Sequence, residues 1–318
     1  MVTEMSTILI EDISHVRFSA PDLGEMGAFL RDFGLIAAGE SKEALFYRGA
    51  GTAPFLHATT RGAPGFAALG LRASNVDDLH VLARAEGASV EDLEAPGGGK
   101  VVCLRDPDGR LVEVVAGQTL ATPLPVTPEA ARNSTGVRAR LRSSVKLQPG
   151  PAAVVRLGHA VLNVSNFAVA EAWYKARFGF ITSDEIEVAP GVAIGAFLRC
   201  DRGDALTDHH TLFLLQAPSG PGFNHAAFEV SDMDDLMRGH THLKHTHRKA
   251  TWGVGRHVLG SQIFDYWVDP WGHELEHWTD GDLFTTADGS HKATMQDLLA
   301  VQWGPLHPMM RADQGDKP

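Results

Sequence analysis

Cysteine is almost absent: the 318 residues include only Cys103 and Cys200. Two thiols cannot build a disulfide framework, and these two lack the spacing of a thiolate zinc site. Any metal must therefore be held by histidine and carboxylate. Basic residues are also scarce, 28 Lys and Arg against 39 Asp and Glu, which gives a formal charge of -11. No basic stripe is available to neutralise phosphates, so nucleic acid and anionic membranes are poor partners and a small neutral or metal-bound ligand fits better. Long apolar runs are missing, and none approaches the roughly 20 residues of a membrane span. The opening "MVTEMSTILIEDISH" has no basic region before its short apolar patch, so a cytoplasmic protein is expected.

What is present is a globular composition, 44% hydrophobic and 21% charged, on a length comfortable for two domains. An internal repeat organises it. "ISHVRFSAPDLGEMGAFLRDFGL" from Ile13 parallels "LGHAVLNVSNFAVAEAWYKARFGF" from Leu157, each a strand with a histidine, a turn and an amphipathic helix. "PGFAALGLRASNVDDL" from Pro64 parallels "PGFNHAAFEVSDMDDL" from Pro221, a strand running into an acidic helix start. "DPDGRLVEVVAG" from Asp106 parallels "DPWGHELEHWTDG" from Asp269, an Asp-Pro-X-Gly turn feeding a strand. Three matches in the same order point to two similar domains. We expect them at 1–145, with a Pro-, Ser- and Arg-rich linker from about 120, and at 146–290. The tail, 291–318, is expected to pack on the second domain and to fray from Arg311 on.

The two halves disagree at the positions that matter. The matched trio is His15, Ala68 and Glu113 in the first and His159, His225 and Glu276 in the second. Ala68 cannot bind a metal, whereas two histidines and one carboxylate can hold Fe(II) on one face with positions left open. Sixteen histidines occur in the chain, so an arbitrary trio would be a weak signal. This one has each member on a predicted strand and in a different repeat element. Glu274 shares a strand face with Glu276 by alternation, but Glu276 aligns with Glu113 and Glu274 with Leu111, which selects Glu276.

These residues resemble the type I extradiol ring-cleavage dioxygenases of the vicinal oxygen chelate superfamily. The C-terminal signature of that family is matched by Gly255, His257, Tyr266, Asp269, Pro270, Gly272 and Glu276, with Asp265 standing where an aliphatic residue or Phe is usual. "DHHTLFLL" matches the stretch whose second histidine, here His210, is the acid/base. The resemblance covers both domains. It implies an α+β fold of two tandem vicinal oxygen chelate domains, each of two βαβββ modules curling a sheet around a funnel, with metal only in the second. It implies Fe(II), with Mn(II) as the other candidate, on His159, His225 and Glu276. It also implies O2 and a catechol as partners, a muconic-semialdehyde-type product, and a homo-oligomer. His257 and Tyr266 are then expected to hold the substrate oxygens. Trp252 stands where relatives that accept acidic catechols place an arginine, so an uncharged catechol or a trihydroxylated ring such as a trihydroxytoluene is expected, with Arg256 next door as a further contact. The same modules also carry glyoxalase-type isomerases and ligand-binding proteins, so fold alone does not select the activity.

Other features read as ordinary structure. His240, His242, His245 and His247 follow an acidic helix start and are expected to scatter round a helix and face water. Trp252, Trp267, Trp271 and Trp278 suit an aromatic pocket or plain core. His209, expected on the strand face opposite His210, and His273, Glu274, His277 and Asn224 receive no role.

Overall fold

A computed structural model describes residues 6–127 and 130–312. Residues 313–318, where fraying is expected, lie outside the described part.

The first half is an eight-stranded sheet. Its strands are β1 (Ile10–Ala20), β2 (Ile36–Glu40), β3 (Ala44–Arg48), β4 (His57–Arg61), β5 (Gly65–Ala73), β6 (Val90–Asp92), β7 (Lys100–Arg105) and β8 (Leu111–Ala116). Helices α1 (Leu23–Asp32) and α2 (Val76–Glu86) follow β1 and β5, so the half is two βαβββ modules. The spatial order is β2-β3-β4-β1-β5-β8-β7-β6, with the two modules meeting at β1 and β5.

The second half repeats this. β9 (Val154–Asn163), α3 (Phe167–Phe178), β10 (Ile181–Ala189), β11 (Val192–Arg199) and, after the two-residue β12 (Thr207–Asp208), β13 (Leu212–Leu215) form one module. β14 (Gly222–Val230), α4 (Met233–His245), β15 (Lys249–His257), β16 (Ile263–Val268) and β17 (Glu274–Thr279) form the other. Among the described residues β18 (Leu283–Phe284) pairs only with β12. Beyond it come β19 (His291–Thr294), α5 (Met295–Leu299), β20 (Val301–Trp303) and α6 (Pro308–Ala312).

The large sheet runs β19-β10-β11-β13-β9-β14-β17-β16-β15-β20. β19 and β20 are separated only by α5, yet they lie on opposite edges of ten strands. The sheet must therefore curl until its edges nearly meet, and the C-terminal segment straps across the mouth. β10 and β15 each gain a partner, so the exposed edges become the short β19 and β20.

Local chemistry explains the repeat. Asp22, Asn75, Asn166 and Asp232 cap α1 to α4, each side chain accepting from a backbone N–H of the first turn. In the two Asp-Pro-X-Gly turns, Asp106 Oδ1 accepts from the N–H of Asp108 and Arg110, and Asp269 Oδ1 accepts from those of Trp271 and His273. Gly109 (φ 80°) and Gly272 (φ 96°) supply the left-handed residue that closes each turn. β16 is buried along its whole length because both faces are covered. Tyr266 faces the funnel, while on the opposite face Asp265 accepts from His240 of α4. The halves share one core in which Phe18, Phe29 and Phe33 meet Phe228, Trp267 and Leu275. His277 stacks on Phe33 and donates from Nε2 to its carbonyl, 2.7 Å away.

Candidate metal centre

Strand register assembles the site. His159 on β9 and Glu276 on β17 both pair with Ala227 of β14, and Glu276 also pairs with Tyr266, so these residues form one transverse row. Two residues along, about 6.6 Å at the usual strand rise, Val161, His225, Glu274 and Val268 form the next row on the same face. His159, His225 and Glu276 thus converge from three adjacent strands, all pointing into the funnel.

The ligand atoms of this trio lie within 4.8 Å of one another, the one such group of three among the described residues. Each imidazole Nε2 is 3.4 Å from Glu276 Oε2. Glu276 is completely buried, yet neither of its oxygens accepts a hydrogen bond among the described residues. A buried carboxylate with no donor on either oxygen is costly unless a cation completes it. Asn224 Oδ1 accepts from His225 Nδ1 at 2.8 Å, which leaves the Nε2 lone pair toward Glu276, the arrangement a metal-bound histidine needs. The donor set therefore fits a divalent ion.

Around the trio, His257 Nε2 lies 3.2 Å from the Tyr266 hydroxyl. Burial lowers the His257 pKa to about 4, and burial together with the Glu276 charge pushes Tyr266 well above its ordinary value. Tyr266 is consequently a hydrogen-bond donor and His257 is neutral. The His210 ring lies 4.0 Å from that of His159. Its pKa is held well below the ordinary range, first by burial and then by His159, His209, His225 and His257. The cavity above measures about 360 Å³. Val161, Phe197, Phe213 and Leu259 form an apolar wall that packs with Met295 and Leu298 of the strap. Trp252 stacks with Tyr266 on the other side.

The first half shows what replaces a metal. The same register puts His15 and Glu113 opposite Gly70, and Arg17, Ala68 and Leu111 in the next row. Val161, His225 and Glu274 thus correspond to Arg17, Ala68 and Leu111. His15 Nε2 and Arg17 Nε both contact Glu113 Oε2 at 2.7 Å, and Phe55 covers the His15 ring. The guanidinium supplies in place the positive charge that a metal would otherwise bring. Burial acts against the Glu113 charge, but His15 and Arg17 prevail and its pKa falls to about 2. A carboxyl lowered on folding stabilises above its unfolded value and loses that contribution as pH falls through the folded one. Arg17→Met is therefore expected to cost about 2 kcal/mol near neutrality. In urea unfolding of the variant and the parent, the gap should narrow as pH falls from about 4.5 toward 2; a gap that does not depend on pH would remove Glu113 from the explanation.

Several sequence expectations are corrected by the structure. Arg256 is turned away from the cavity: its guanidinium donates to the Ser261 carbonyl and to Asp280, because its strand position faces outward from His257. His240 and His242 do not simply face water, since burial of Asp265 and the approach of Asp32 give them carboxylate partners at 3.0 and 3.3 Å; His245 and His247 are exposed. Of the four tryptophans considered, only Trp252 lines the cavity. Asp265 is in the outer layer, accepting from Trp267 Nε1 at 2.6 Å. His209 and His210 precede β13 rather than lying within a strand. His273 is held by Asp269 at 2.8 Å, and Glu274 lines the cavity. The strap residues Leu298, His307 and Met309, which also line it, carry no motif and become visible only through the sheet's closure.

Comparison with known proteins adds the relatives. The family described as Glyoxalase/Bleomycin resistance protein/Dioxygenase superfamily matches residues 156–277. Metapyrocatechase 2 of Cupriavidus necator is 27% identical over 309 residues, 93% of this chain and 89% of the relative. Among solved structures, the Mn(II)-bound glyoxalase from Novosphingobium aromaticivorans superposes with a TM-score of 0.75 at 24% identity, covering 95% of this chain and 93% of that one. The 2,3-dioxygenase LapB from Pseudomonas sp. KL28 also gives 0.75, at 17% identity, with 92% and 100% covered.

Proposed function

The chain belongs to the Glyoxalase/Bleomycin resistance protein/Dioxygenase superfamily, on the side of its extradiol ring-cleaving enzymes, and from that premise we propose that Fe(II) held by His159, His225 and Glu276 lets it open an uncharged catechol with O2 to a muconic-semialdehyde-type product. The observation that carries this reading is the buried Glu276 carboxylate, without a hydrogen bond on either oxygen and facing two imidazoles at 3.4 Å. When bound, the iron supplies the electron transfer between catecholate and O2 that no side chain here can provide.

The chain's own residues do the rest. Tyr266, kept protonated, donates to a substrate oxygen, and His257 holds the same end of the ring. His210, neutral in its buried position beside His159, takes the hydroxyl proton and later returns it. The apolar wall of Val161, Phe197, Phe213 and Leu298 excludes water and grips the ring.

The wall also supports the substrate class. Among the described residues no lysine or arginine lines the cavity, while the Glu274 carboxylate does, with no hydrogen bond or ion pair of its own. A ring bearing a carboxylate would meet an unbalanced like charge. Methylcatechol should exceed 3,4-dihydroxyphenylacetate in kcat/KM by roughly tenfold or more, from the repulsion of two charges a ring-width apart. Glu274→Gln should narrow that ratio; an unchanged ratio would take Glu274 out of specificity.

The overall reading is tested by loading the protein anaerobically with Fe(II) and admitting air with catechol or 2,3-dihydroxybiphenyl. O2 uptake with a yellow product is expected. The alternative on the same modules is a glyoxalase-type isomerase. Turnover of methylglyoxal hemithioacetal, with no O2 uptake across the catechols, would replace ring cleavage by isomerisation, and repeating the assay with Mn(II) decides the ion.

A further inference from the structure

Behind the funnel lies a line of three buried groups, two of which the chemistry above leaves unused. Asp184 on β10 has Oδ2 2.7 Å from His209 Nε2, and His209 Nδ1 is 3.1 Å from His210 Nδ1. Asp184, His209 and His210 are all buried. One hydrogen pattern satisfies the line when the histidines are neutral. Asp184 only accepts, so His209 carries its proton on Nε2 and presents a lone pair at Nδ1. His210 must then donate from Nδ1, which leaves its Nε2 as a lone pair for the cavity it lines.

The His209 ring is pinned in this role. Its carbonyl accepts from Ser183 Oγ at 2.6 Å, and its N–H donates to the Asp282 carbonyl at 3.0 Å. Phe197 and Phe284 flank it, and Gly260 approaches so closely that a Cβ there would sit 2.9 Å from Nδ1. The titratable and charged groups facing it are Asp184 and His210, with Arg199 and His291 also acting on Asp184.

Resting on the ring-cleavage reading, we propose that Asp184 and His209 form a proton store for His210. The substrate O–H bond breaks as an N–H bond forms at His210 Nε2. The His210 Nδ1 proton passes to His209 Nδ1. His210 ends neutral with its proton facing the substrate, the substrate is a monoanion, and the positive charge rests on His209 against Asp184. No electrons leave or enter, and reversal of the same two transfers returns the proton later. A charge on His210 would be surrounded by the imidazoles of His159, His225 and His257, whereas His209 has a carboxylate in contact.

The test uses the Fe(II)-loaded full chain without O2, in weak buffer with a pH indicator. On binding catechol, the parent should retain the substrate proton, whereas His209→Phe should release roughly one per site. Asp184→Asn, which leaves the His209 ring in place, should release an intermediate amount. With air, kcat of His209→Phe should fall roughly 30-fold or more while KM stays within about threefold, the pattern of lost proton handling. Metal content should be unchanged in both variants. Equal proton release in parent and variants, with kcat within about twofold, overturns the store while ring cleavage stands. Failure of the metal-loaded parent to bind any catechol overturns the ring-cleavage reading and the store with it.

Discussion

Glu276→Gln is expected to purify without its metal and to lose ring cleavage below detection. The carboxylate is the only anion in the trio, so its replacement leaves two neutral imidazoles and an amide facing a divalent ion at a largely buried site. Stability should respond in the opposite sense before metal is added. In the metal-free parent a fully buried carboxylate has no donor on either oxygen, a cost that Gln removes, so the metal-free variant should melt no lower than the metal-free parent. Adding Fe(II) or Mn(II) should raise the Tm of the parent alone, because only a state that binds the ion is stabilised by it. Calorimetry with and without metal, paired with metal analysis, checks both. A variant that still holds one ion per chain would mean that the metal is elsewhere.

His210→Phe is expected to keep its metal and still bind catechol anaerobically, yet to turn over roughly 100- to 10,000-fold more slowly, the range typical of a lost general acid/base. Phenylalanine preserves the ring contact with Phe197, which itself stacks on Phe213 in the apolar wall, so the change removes a proton carrier more than a packing unit. Metal analysis, anaerobic binding and steady-state rates separate these effects. Unaffected turnover would remove His210 from the chemistry. The pair of variants also divides the site: Glu276 acts through the ion, and His210 acts on the substrate.

The two variants differ in how far the sequence alone could justify them. The repeat selects Glu276 over Glu274, since period-two alternation puts both on one face. The register gives that choice a physical form, with Glu276 in a row with His159 and Glu274 in a row with His225. Glu274 consequently faces the ring rather than the ion. His210 was found by resemblance, and no local pattern could have found its partners. Asp184 lies 25 residues before His209, on β10, and meets it only where β10 passes the turn that carries both histidines.

The internal repeat, the acidic helix starts, the Asp-Pro-X-Gly turns and the loss of a ligand at Ala68 are legible in the residues themselves, and the βαβββ plan follows from the family resemblance. Each of these depends on neighbours a few residues apart: alternation along a strand, a side chain capping its own helix, a carboxylate closing its own turn. Only the tertiary structure decided that Arg17 takes the cation's place beside Glu113. It alone also decided that Arg256 turns away, that Asp265 belongs to the outer layer, and that residues 291–309 close the funnel. Those outcomes depend on which strands become neighbours and how sharply the sheet curls. They are set by the packing of two curved sheets against each other and not by any local stretch of chain.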